Sequence, residues 1–315
     1  MPTMLDRYKG TLVGLYAGDA LGAPYETWSA DTVREDLAKR GGLVPFDYPN
    51  PWPHESVREF PKGRPTDDSD HAAALAESLI ACGGLNEADL YNRLRHVVVD
   101  QVSPLWSGPA LGAGKTTRTA LAFPTWEESR DRPYDPVAEF PSNGSLMRAA
   151  PMALALPPFT DVDWDTVSRM SAVTHRHPDA RDICIGYVII LRMLLDGKEP
   201  MAAIVRSVTA GPLPAIIVGE ADQEPRDPEK WPGRGAAELT LHVALWALTT
   251  SKDFRDGVTK AVSIGGDTDT YAAVAGALLG AHYGYEAIPP EWRDALIGRD
   301  VMVRLATELY ELSHS

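Results

Sequence analysis

Apolar residues recur at spacings of three and four along most of the chain, which is the pattern of helices with one buried face. This periodicity predicts helices over residues 70–81, 86–100, 163–173, 178–196, 199–208, 235–250, 253–263, 270–283 and 291–312. No run of alternating strands with hairpin signals is visible, and strands do not alternate with helices. The pattern therefore predicts an all-α fold.

Three stretches break the helical pattern. Residues 43–65 are rich in proline and aromatic residues, residues 123–142 contain several prolines, and residues 211–234 are acidic. Long loops in a compact domain are commonly lids or binding loops, or else disordered. Because the first stretch ends just before Thr66 and the second just before Asn143, we predict that these two are lids over a site.

Size and composition are those of an ordinary globular protein. The chain has 315 residues, of which 44% are hydrophobic and 23% charged, enough to bury a sizeable core. Since neither an internal repeat nor a clear linker interrupts it, we predict a compact helical bundle of one domain over residues 1–315. The formal net charge of -14, without any run of lysine and arginine, disfavours nucleic acids and acidic membrane surfaces as partners.

Two further features bear on where the protein resides. The first residues lack the basic, apolar and small-residue succession of a signal peptide, and no uncharged apolar stretch approaches the ~20 residues that span a bilayer. Cys82 and Cys184 are too few for a disulfide framework, and each lies among apolar residues, which predicts small buried side chains. We therefore expect a reduced, cytoplasmic protein.

Two acidic clusters occur where a loop meets a predicted helix. Thr66-Asp67-Asp68-Ser69-Asp70 precedes one helical run, and Gly265-Gly266-Asp267-Thr268-Asp269-Thr270 precedes another. Helix capping alone accounts for one such side chain at each helix start. Several carboxylates within five residues repel one another strongly unless a cation neutralises them. Oxygen ligands suit a hard cation, so the clusters predict a site for Mg²⁺ first and Mn²⁺ second.

The second cluster needs a special backbone if all of its side chains are to converge. On a regular helix Asp267 and Thr270 share a face, because they are three residues apart, whereas Asp269 points elsewhere. The paired glycines before Asp267 make an irregular turn possible. The helix behind the cluster carries mostly small side chains and can pack closely in a core.

A glycine-rich segment resembles a phosphate-binding loop at first sight. In Gly108–Thr116, however, Pro109 stands where the first glycine of the P-loop belongs, and no strand precedes it, so we reject that interpretation. Gly112 and Gly114 still permit close backbone approach and free N–H groups before a helix, which suits a diphosphate. A plain turn between helices is the alternative.

Two polar motifs complete the candidates. Asn143-Gly144-Ser145 offers an amide, an exposed backbone and a hydroxyl for ribose and phosphate oxygens, or else forms a turn with a helix cap. His175 and His177 flank Arg176 without a cysteine or acidic partner at zinc spacing, so we expect no zinc site. We predict that His175 contacts a ligand or caps a helix and that His177, before Pro178, is structural.

Taken in order, these motifs resemble the ADP-ribosylglycohydrolase family over nearly the whole chain. The motifs are Gly14-Leu15-Tyr16-Ala17-Gly18-Asp19-Ala20-Leu21-Gly22-Ala23-Pro24-Tyr25-Glu26, Thr66-Asp67-Asp68, Gly112-Ala113-Gly114, Asn143-Gly144-Ser145-Leu146-Met147-Arg148, Thr174-His175-Arg176-His177-Pro178 and Gly265-Gly266-Asp267-Thr268-Asp269-Thr270. The resemblance implies an all-α fold with a binuclear metal site in a central cleft. It also implies a monomer.

By position, the resemblance implies six metal ligands, with Asp269 as the bridge. These are Thr66, Asp67, Asp68, Asp267, Asp269 and Thr270. Glu26 resembles a glutamate that some members bring to the metal site, although it is equally interpreted as an exposed residue at a helix end. Asp19 could be a structural hydrogen-bond acceptor. Ser69 and Asp70 depart from the family pattern, which has threonine and then an uncharged residue.

The resemblance implies hydrolysis of the glycosidic bond between ADP-ribose and a protein side chain such as arginine or serine. Two Mg²⁺ ions, or Mn²⁺, would hold the ribose hydroxyls and a water molecule. Asp67, Asp68 and Glu26 are the candidate catalytic residues, and we expect Asp67 or Asp68 to accept the proton of the water. The expected ligand-binding residues are Gly112, Gly114, Asn143, Gly144, Ser145 and His175.

Two other functions stay open from the sequence. The same fold could act on a free nucleoside or a small ADP-ribose derivative, at which Asp70 and the Trp52-bearing loop hint. A non-catalytic protein that binds ADP-ribose is the third hypothesis, since this family resembles some lens crystallins. The intact acidic clusters disfavour it, because a protein without catalysis has no chemical reason to keep mutually repelling carboxylates.

Overall fold

A computed structural model describes residues 2–49, 59–135, 139–209, 211–213, 217, 219–225, 233 and 235–315. Fifteen helices in these ranges confirm the all-α prediction. They are α1 (Met4–Gly22), α2 (Ala30–Arg40), α3 (Asp67–Cys82), α4 (Glu87–Val98), α5 (Lys115–Leu121), α6 (Trp126–Arg130), α7 (Ala150–Ala155), α8 (Trp164–Ala172), α9 (Pro178–Leu195), α10 (Pro200–Thr209), α11 (Ala237–Thr250), α12 (Phe254–Ser263), α13 (Thr268–Tyr283), α14 (Pro290–Ala295) and α15 (Arg299–Ser313). Single 3₁₀ turns cover Ala23–Tyr25, Asn143–Ser145 and Tyr285–Ala287.

Two buried helices, α1 and α13, lie against each other along their length at the centre of the molecule. Their backbones approach through facing glycines. A Cβ atom at Gly14 would lie 2.3 Å from the carbonyl oxygen of Gly276, and one at Gly276 would lie 2.1 Å from the carbonyl oxygen of Gly14. Real Cβ atoms do not come this close to an oxygen, so glycine is required on both sides. The close contact brings the ends that carry Asp19 and Asp269 together.

The other helices pack around this pair. α11 and α12 cover α13, α15 covers α1 and α3, and α9 contacts α13, α8 and α10. One large hydrophobic cluster runs through the whole assembly, from Tyr8 in α1 to Leu309 in α15. Burial of so much apolar surface supplies the main free energy of folding. It also gives the polar cluster at the end of α1 a rigid base.

The structure corrects one predicted helix. Residues 291–312 form two helices, α14 and α15, that are separated at Ile297-Gly298. Gly298 has a φ of 78°, and a Cβ atom there would lie 1.9 Å from the carbonyl oxygen of Leu105. A left-handed residue in tight contact with another loop ends the helix there, although the hydrophobic period continues across it.

The proline-rich stretches contain more structure than the sequence indicated. A short antiparallel pair joins β1 (Tyr48–Pro49) to β2 (Glu59–Phe60), with Tyr48 opposite Phe60. α6 lies within the second stretch. Residues 50–58 with Trp52, residues 136–138 and half of 211–234 fall outside the described residues, so the prediction of lids remains a prediction.

Two smaller expectations have different outcomes. Cys184 is buried, as predicted, but Cys82 is exposed. Cys82 is the last residue of α3, directly before the left-handed Gly83, and the end of that helix projects from the core. Within the described ranges, no helix is both long and apolar enough to span a bilayer.

Candidate metal and ligand-binding cleft

A cleft of about 890 Å³ opens beside the first turns of α3 and α13. Most of the expected site residues line it. They are Glu26, Asp67, Asp68, Gly112, Gly114, Asn143, Gly144, His175, Asp267, Asp269 and Thr270. The chain thus gathers side chains that are up to 244 positions apart, Glu26 and Thr270 being the extremes, into one cavity. Thr66 and Ser145 do not line it.

In the first acidic cluster, one residue caps the helix and two others line the cleft. Thr66 is the N-cap of α3, and its Oγ1 accepts a hydrogen bond from the Asp68 N–H (3.3 Å) and donates one to Asp68 Oδ2 (3.2 Å). The threonine therefore satisfies the start of the helix. Asp67 and Asp68 are left to line the cleft, so capping does not explain the two carboxylates.

The second cluster has the irregular turn that its spacing required. Gly265 and Gly266 have φ values of 72° and 83°, and Asp267 has φ -93° and ψ 61°, outside the helical region. Asn143 Nδ2 donates to Asp267 Oδ2 at 2.8 Å, and the N–H of Thr270 donates to Asp269 Oδ1 at 2.9 Å. Two left-handed glycines thus turn Asp267 and Asp269 into the same cavity.

Carboxylates from the two clusters meet in two groups. Oxygens of Asp19, Asp68 and Asp269 lie within 4.8 Å of one another, and so do oxygens of Glu26, Asp267 and Asp269. Asp269 belongs to both groups. This is the arrangement expected of a carboxylate that bridges two cations.

Several of these oxygens are suited to a cation because nothing else satisfies them. Among the described residues, Asp19 Oδ1, Asp68 Oδ1 and Glu26 Oε2 are buried without a hydrogen-bond partner. A buried carboxylate oxygen without a partner is costly. The donor set consists of oxygen atoms only and fits a hard divalent cation such as Mg²⁺.

The electrostatics of the cleft lead to the same conclusion. Burial, followed by the neighbouring carboxylates, raises the pKa of Asp68 and of Asp269 well above the usual value. Burial and the charges of Asp267 and Asp19 raise the pKa of Glu26 to about 8. Without a cation these groups therefore resist ionisation, and a bound dication would reverse that preference.

Asp19 supports the first cluster and also faces the site. Its Oδ2 accepts hydrogen bonds from the N–H of Thr66 (3.0 Å), the N–H of Ser69 (3.1 Å) and the hydroxyl of Ser69 (2.5 Å). Its Oδ1 belongs to the carboxylate group with Asp68 and Asp269. The structural role expected for Asp19 is confirmed, and the structure adds it to the candidate ligands.

The two departures from the family pattern have separate consequences. Ser69 keeps a hydroxyl that donates to Asp19. Asp70 is fully buried, does not line the cleft, and accepts a hydrogen bond from Ser103 Oγ at 2.5 Å. Burial raises the pKa of Asp70 to about 8, and the positive charge of Arg64 opposes that rise. Asp70 therefore connects α3 to the loop that holds Ser103.

Gly112 permits a close approach to the first acidic cluster. Its φ is 118°, and a Cβ atom there would lie 2.2 Å from Asp67 Oδ1. The N–H of Asp67 in turn donates to the carbonyl oxygen of Leu111 at 3.1 Å. Gly114 lines the cleft directly before α5 and has open space where a Cβ would be. The segment thus forms one wall of the cleft beside Asp67.

The Asn143–Ser145 turn places its three residues differently. Asn143 donates to Asp267 and to Thr240 Oγ1 (2.9 Å), and Gly144 packs against the ring of His175. The side chain of Ser145 is fully buried, and its hydroxyl accepts a hydrogen bond from Ser171 Oγ at 2.8 Å. This geometry disfavours a direct contact between the Ser145 hydroxyl and a ligand.

The two histidines differ as expected. His175 is buried and lines the cleft, whereas His177 is the N-cap of α9, where its Nδ1 accepts from the N–H of Asp179 at 3.2 Å. The structural role predicted for His177 is confirmed.

Comparison with known proteins identifies the family of this chain. The family model described as ADP-ribosylglycohydrolase matches residues 1–315. This chain belongs to the ADP-ribosylglycohydrolase family. Members of this family are enzymes, and the intact carboxylate groups agree with that class.

Individual relatives are similar to almost the whole of this chain. The ADP-ribosylarginine hydrolase Tri1 of Pseudomonas putida is 32% identical over 98% of this chain and 78% of the relative. The ADP-ribosyl-[dinitrogen reductase] glycohydrolase of Rhodospirillum rubrum is 28% identical over 94% of this chain and 92% of the relative. A solved structure titled ADP-ribosylglycohydrolase-related protein complex has a TM-score of 0.77 and 32% identity, over 99% of this chain and 100% of the other.

The cleft of this ADP-ribosylglycohydrolase also contains residues that sequence reasoning missed. Lys115, Arg132, Asp135, Glu139 and Phe140 also line it. The last four lie in the proline-rich stretch 123–142, which leads into the Asn143 motif. In a loop without helical periodicity, the sequence does not indicate which side chains point into a site. The one signal for these residues was that the stretch ends just before Asn143.

Proposed function

We propose that this enzyme hydrolyses the N-glycosidic bond between ADP-ribose and an arginine side chain of a modified protein, and that the reaction requires two Mg²⁺ ions. The observation that carries the proposal is the sharing of Asp269 by two groups of carboxylates at the base of a cleft. Similarity to an ADP-ribosylarginine hydrolase supports the arginine linkage.

The proposed metal ligands are Thr66, Asp67, Asp68, Asp267, Asp269 and Thr270, to which we add Asp19 and Glu26. When bound, Mg²⁺ supplies Lewis-acid stabilisation of developing charge and lowers the pKa of a coordinated water. Mn²⁺ has similar ligand preferences and is the proposed substitute.

The side chains of the chain itself have separable tasks. Asp68 belongs to a carboxylate group around a candidate cation position, whereas Asp67 does not. Asp67 lines the cleft with Oδ1 beside Gly112. We therefore propose that Asp67, in addition to its place among the proposed ligands, accepts the proton of the water, and that Asp68 acts as a ligand alone.

The charges that line the cleft suit both parts of the proposed substrate. A modified arginine has a cationic guanidinium, and Asp135 and Glu139 line the cleft together with the carboxylates of the two groups, although Glu139 also pairs with Arg176 at 3.0 Å. Lys115 and Arg132 are the lysine and arginine side chains among the described lining residues, and they suit a diphosphate. A serine linkage carries no positive charge and gains nothing from the acidic residues of the cleft.

The test is release of ADP-ribose from two substrates, one arginine-linked and one serine-linked, in Mg²⁺, Mn²⁺ or EDTA. We expect release from the arginine-linked substrate in Mg²⁺ or Mn²⁺ and none in EDTA. Asp269→Asn removes the shared carboxylate and should abolish release, whereas Asp222→Asn, at an exposed aspartate, should not. Release from the serine-linked substrate alone would refute the linkage, and release in EDTA would refute the metal requirement.

The hypothesis of a small riboside substrate was based on Asp70 and Trp52, and the position of Asp70 no longer supports it. Asp70 does not line the cleft, so it does not touch a ligand there. Trp52 lies outside the described residues. We keep that substrate class as an outcome of the assay, indicated by turnover of a free riboside without release from either protein substrate.

We further propose one domain over residues 1–315, because the main hydrophobic cluster includes residues from α1 to α15. We also propose a monomer located in the cytoplasm, with neither nucleic acid nor membrane as partner. The monomer rests on the resemblance to the family, and the other proposals rest on the sequence and its net charge of -14.

A further inference from the structure

Behind the cleft wall, three side chains form a chain of hydrogen bonds that ends at His175. Arg148 NH2 donates to Thr174 Oγ1 at 2.8 Å, and Thr174 Oγ1 lies 2.7 Å from His175 Nδ1. Arg148 and Thr174 are fully buried, and His175 is 2% exposed. Neither Arg148 nor Thr174 lines the cleft, so any effect they have on a ligand must pass through a neighbour that does, such as His175.

The chemistry of the three groups favours one direction for each hydrogen bond. A guanidinium only donates, so Thr174 Oγ1 accepts from Arg148. The threonine hydroxyl has one proton, and His175 Nδ1 is its acceptor among the described residues. A buried hydroxyl proton without an acceptor is costly, which favours Nδ1 as the acceptor. A neutral imidazole whose Nδ1 accepts carries its proton on Nε2.

A doubly protonated ring is excluded by its surroundings. Burial lowers the pKa of His175 well below the usual value, and Arg148, His71 and Arg132 lower it further. The backbone holds the ring as well, since the N–H of His175 donates to the carbonyl oxygen of Ser171 at 2.8 Å. The ring is therefore neutral, with one nitrogen that accepts and one that donates.

The donating nitrogen faces the cleft. A Cβ atom at Gly144 would lie 2.9 Å from His175 Nε2 and 3.2 Å from Thr117 Oγ1, and Gly144 and Thr117 both line the cleft. Nε2 has no hydrogen-bond partner within the described part of the chain. Arg148 NH1 also donates to the carbonyl oxygen of Gly144 at 2.9 Å, so the same guanidinium holds both the glycine and the threonine beside the ring.

We infer that Arg148 and Thr174 are positioning residues that hold His175 as the neutral Nε2–H tautomer, so that it donates a hydrogen bond to a phosphate oxygen of the ligand. Phosphate oxygens only accept, and a ring in the other tautomer would present a lone pair to them. The inference rests on the proposed function for the identity of the ligand, ADP-ribose. The tautomer itself rests on the hydrogen bonds alone.

The first measurement is the tautomer of His175 in the folded, ligand-free protein, from long-range ¹H–¹⁵N correlation spectra. The signals are assigned by their loss in His175→Gln. We expect a protonated Nε2 and an unprotonated Nδ1 in the wild type. Thr174→Val removes the hydroxyl at nearly constant volume and should yield a mixture of tautomers, whereas Thr174→Ser should retain the wild-type pattern.

The second measurement is the Kd of ADP-ribose for the same proteins, by calorimetry. Loss of one well-oriented hydrogen bond should weaken binding by Thr174→Val about five-fold, and Thr174→Ser should stay within about two-fold of the wild type. Thermal unfolding of each variant identifies any that fails to fold. If Thr174→Val fails to fold, the tautomers of the wild type and of Thr174→Ser still test the inference.

The outcomes separate the inference from the proposed function. A wild-type ring protonated on Nδ1, or a Thr174→Val protein with unchanged tautomer and unchanged Kd, would overturn the inference. Failure of the wild type to bind ADP-ribose would overturn the proposed function and the ligand named here. In that case the spectra alone would still decide the role of Thr174.

Discussion

Replacing Asp269 with asparagine should have opposite effects on stability with and without a divalent cation. Oxygens of Asp19, Asp68 and Asp269 lie within 4.8 Å of one another. At that distance and an effective dielectric constant of about 20, two carboxylates repel by about 3 kcal/mol. Asp269 takes part in two such pairs with these neighbours, and it also belongs to the second group with Glu26 and Asp267.

The measurable effect is smaller than this sum, because proton uptake by any of the carboxyls relieves the repulsion. We therefore expect Asp269→Asn to stabilise the metal-free protein by about 1–3 kcal/mol, in line with the general conflict between function and stability at such sites. At about 2 °C per kcal/mol for a domain of this size, the Tm should rise by about 2–6 °C.

The assay is thermal unfolding of wild type and variant in EDTA and in a series of Mg²⁺ concentrations. Mg²⁺ should raise the Tm of the wild type, because a ligand that binds the native state stabilises it, and should raise that of Asp269→Asn much less. Asp222→Asn, an exposed aspartate outside the cleft, is the matched control and should follow the wild type. If Asp269→Asn lowers the Tm in EDTA, then the carboxylates do not repel one another in the empty site, and the electrostatic reasoning is wrong.

Three further predictions concern the frame of the site. Gly14→Ala should destabilise the protein by about 1–3 kcal/mol in denaturant unfolding, because the new Cβ would lie 2.3 Å from a facing carbonyl oxygen. Gly219→Ala is the control, because a Cβ there meets open space, and it should be neutral or slightly stabilising. Gly112→Ala should weaken Mg²⁺ binding in calorimetric titration at least several-fold, because the new methyl would lie 2.2 Å from Asp67 Oδ1; unchanged affinity would show that Asp67 does not depend on this contact. Burial and the charge of a nearby arginine lower the pKa of His71 to about 3, below its unfolded value near 6.5. Between these two values the unfolded state binds more protons than the folded state, so stability is lost as the pH falls from 6.5 towards 3. Relative to His71→Leu, the wild type should lose about 2 kcal/mol between pH 6.5 and 5, and parallel stability curves for the two proteins would contradict this.

What the sequence by itself determined was local. Helical periodicity placed eight of its nine segments close to their observed bounds, because burial of one helix face depends on the spacing of apolar residues. The paired glycines before Asp267 indicated the irregular turn, since left-handed backbone is a property of the residue itself. The chemistry of Asp67, Asp68 and Asp269 likewise indicated a hard cation without knowledge of the fold.

The tertiary structure decided everything that depends on contacts between distant segments. The glycine contact between α1 and α13 makes Asp19 a neighbour of Asp68 and Asp269, and no local pattern predicts such a pairing. Glu26 reaches the carboxylates through the same contact. The division of α14 from α15 depends on the approach of Leu105 to Gly298, which lies nearly 200 residues away along the chain.

The same reason explains the side chains whose surroundings were predicted incorrectly or incompletely. Cys82 lies among apolar residues in sequence, yet it is exposed in the last turn of α3. Ser145 belongs to a motif that lines the cleft, yet its hydroxyl bonds to Ser171 in the core. Sequence determines what a side chain can do, and packing between distant segments determines which neighbours it meets, because the free energy of those contacts is shared by the whole core.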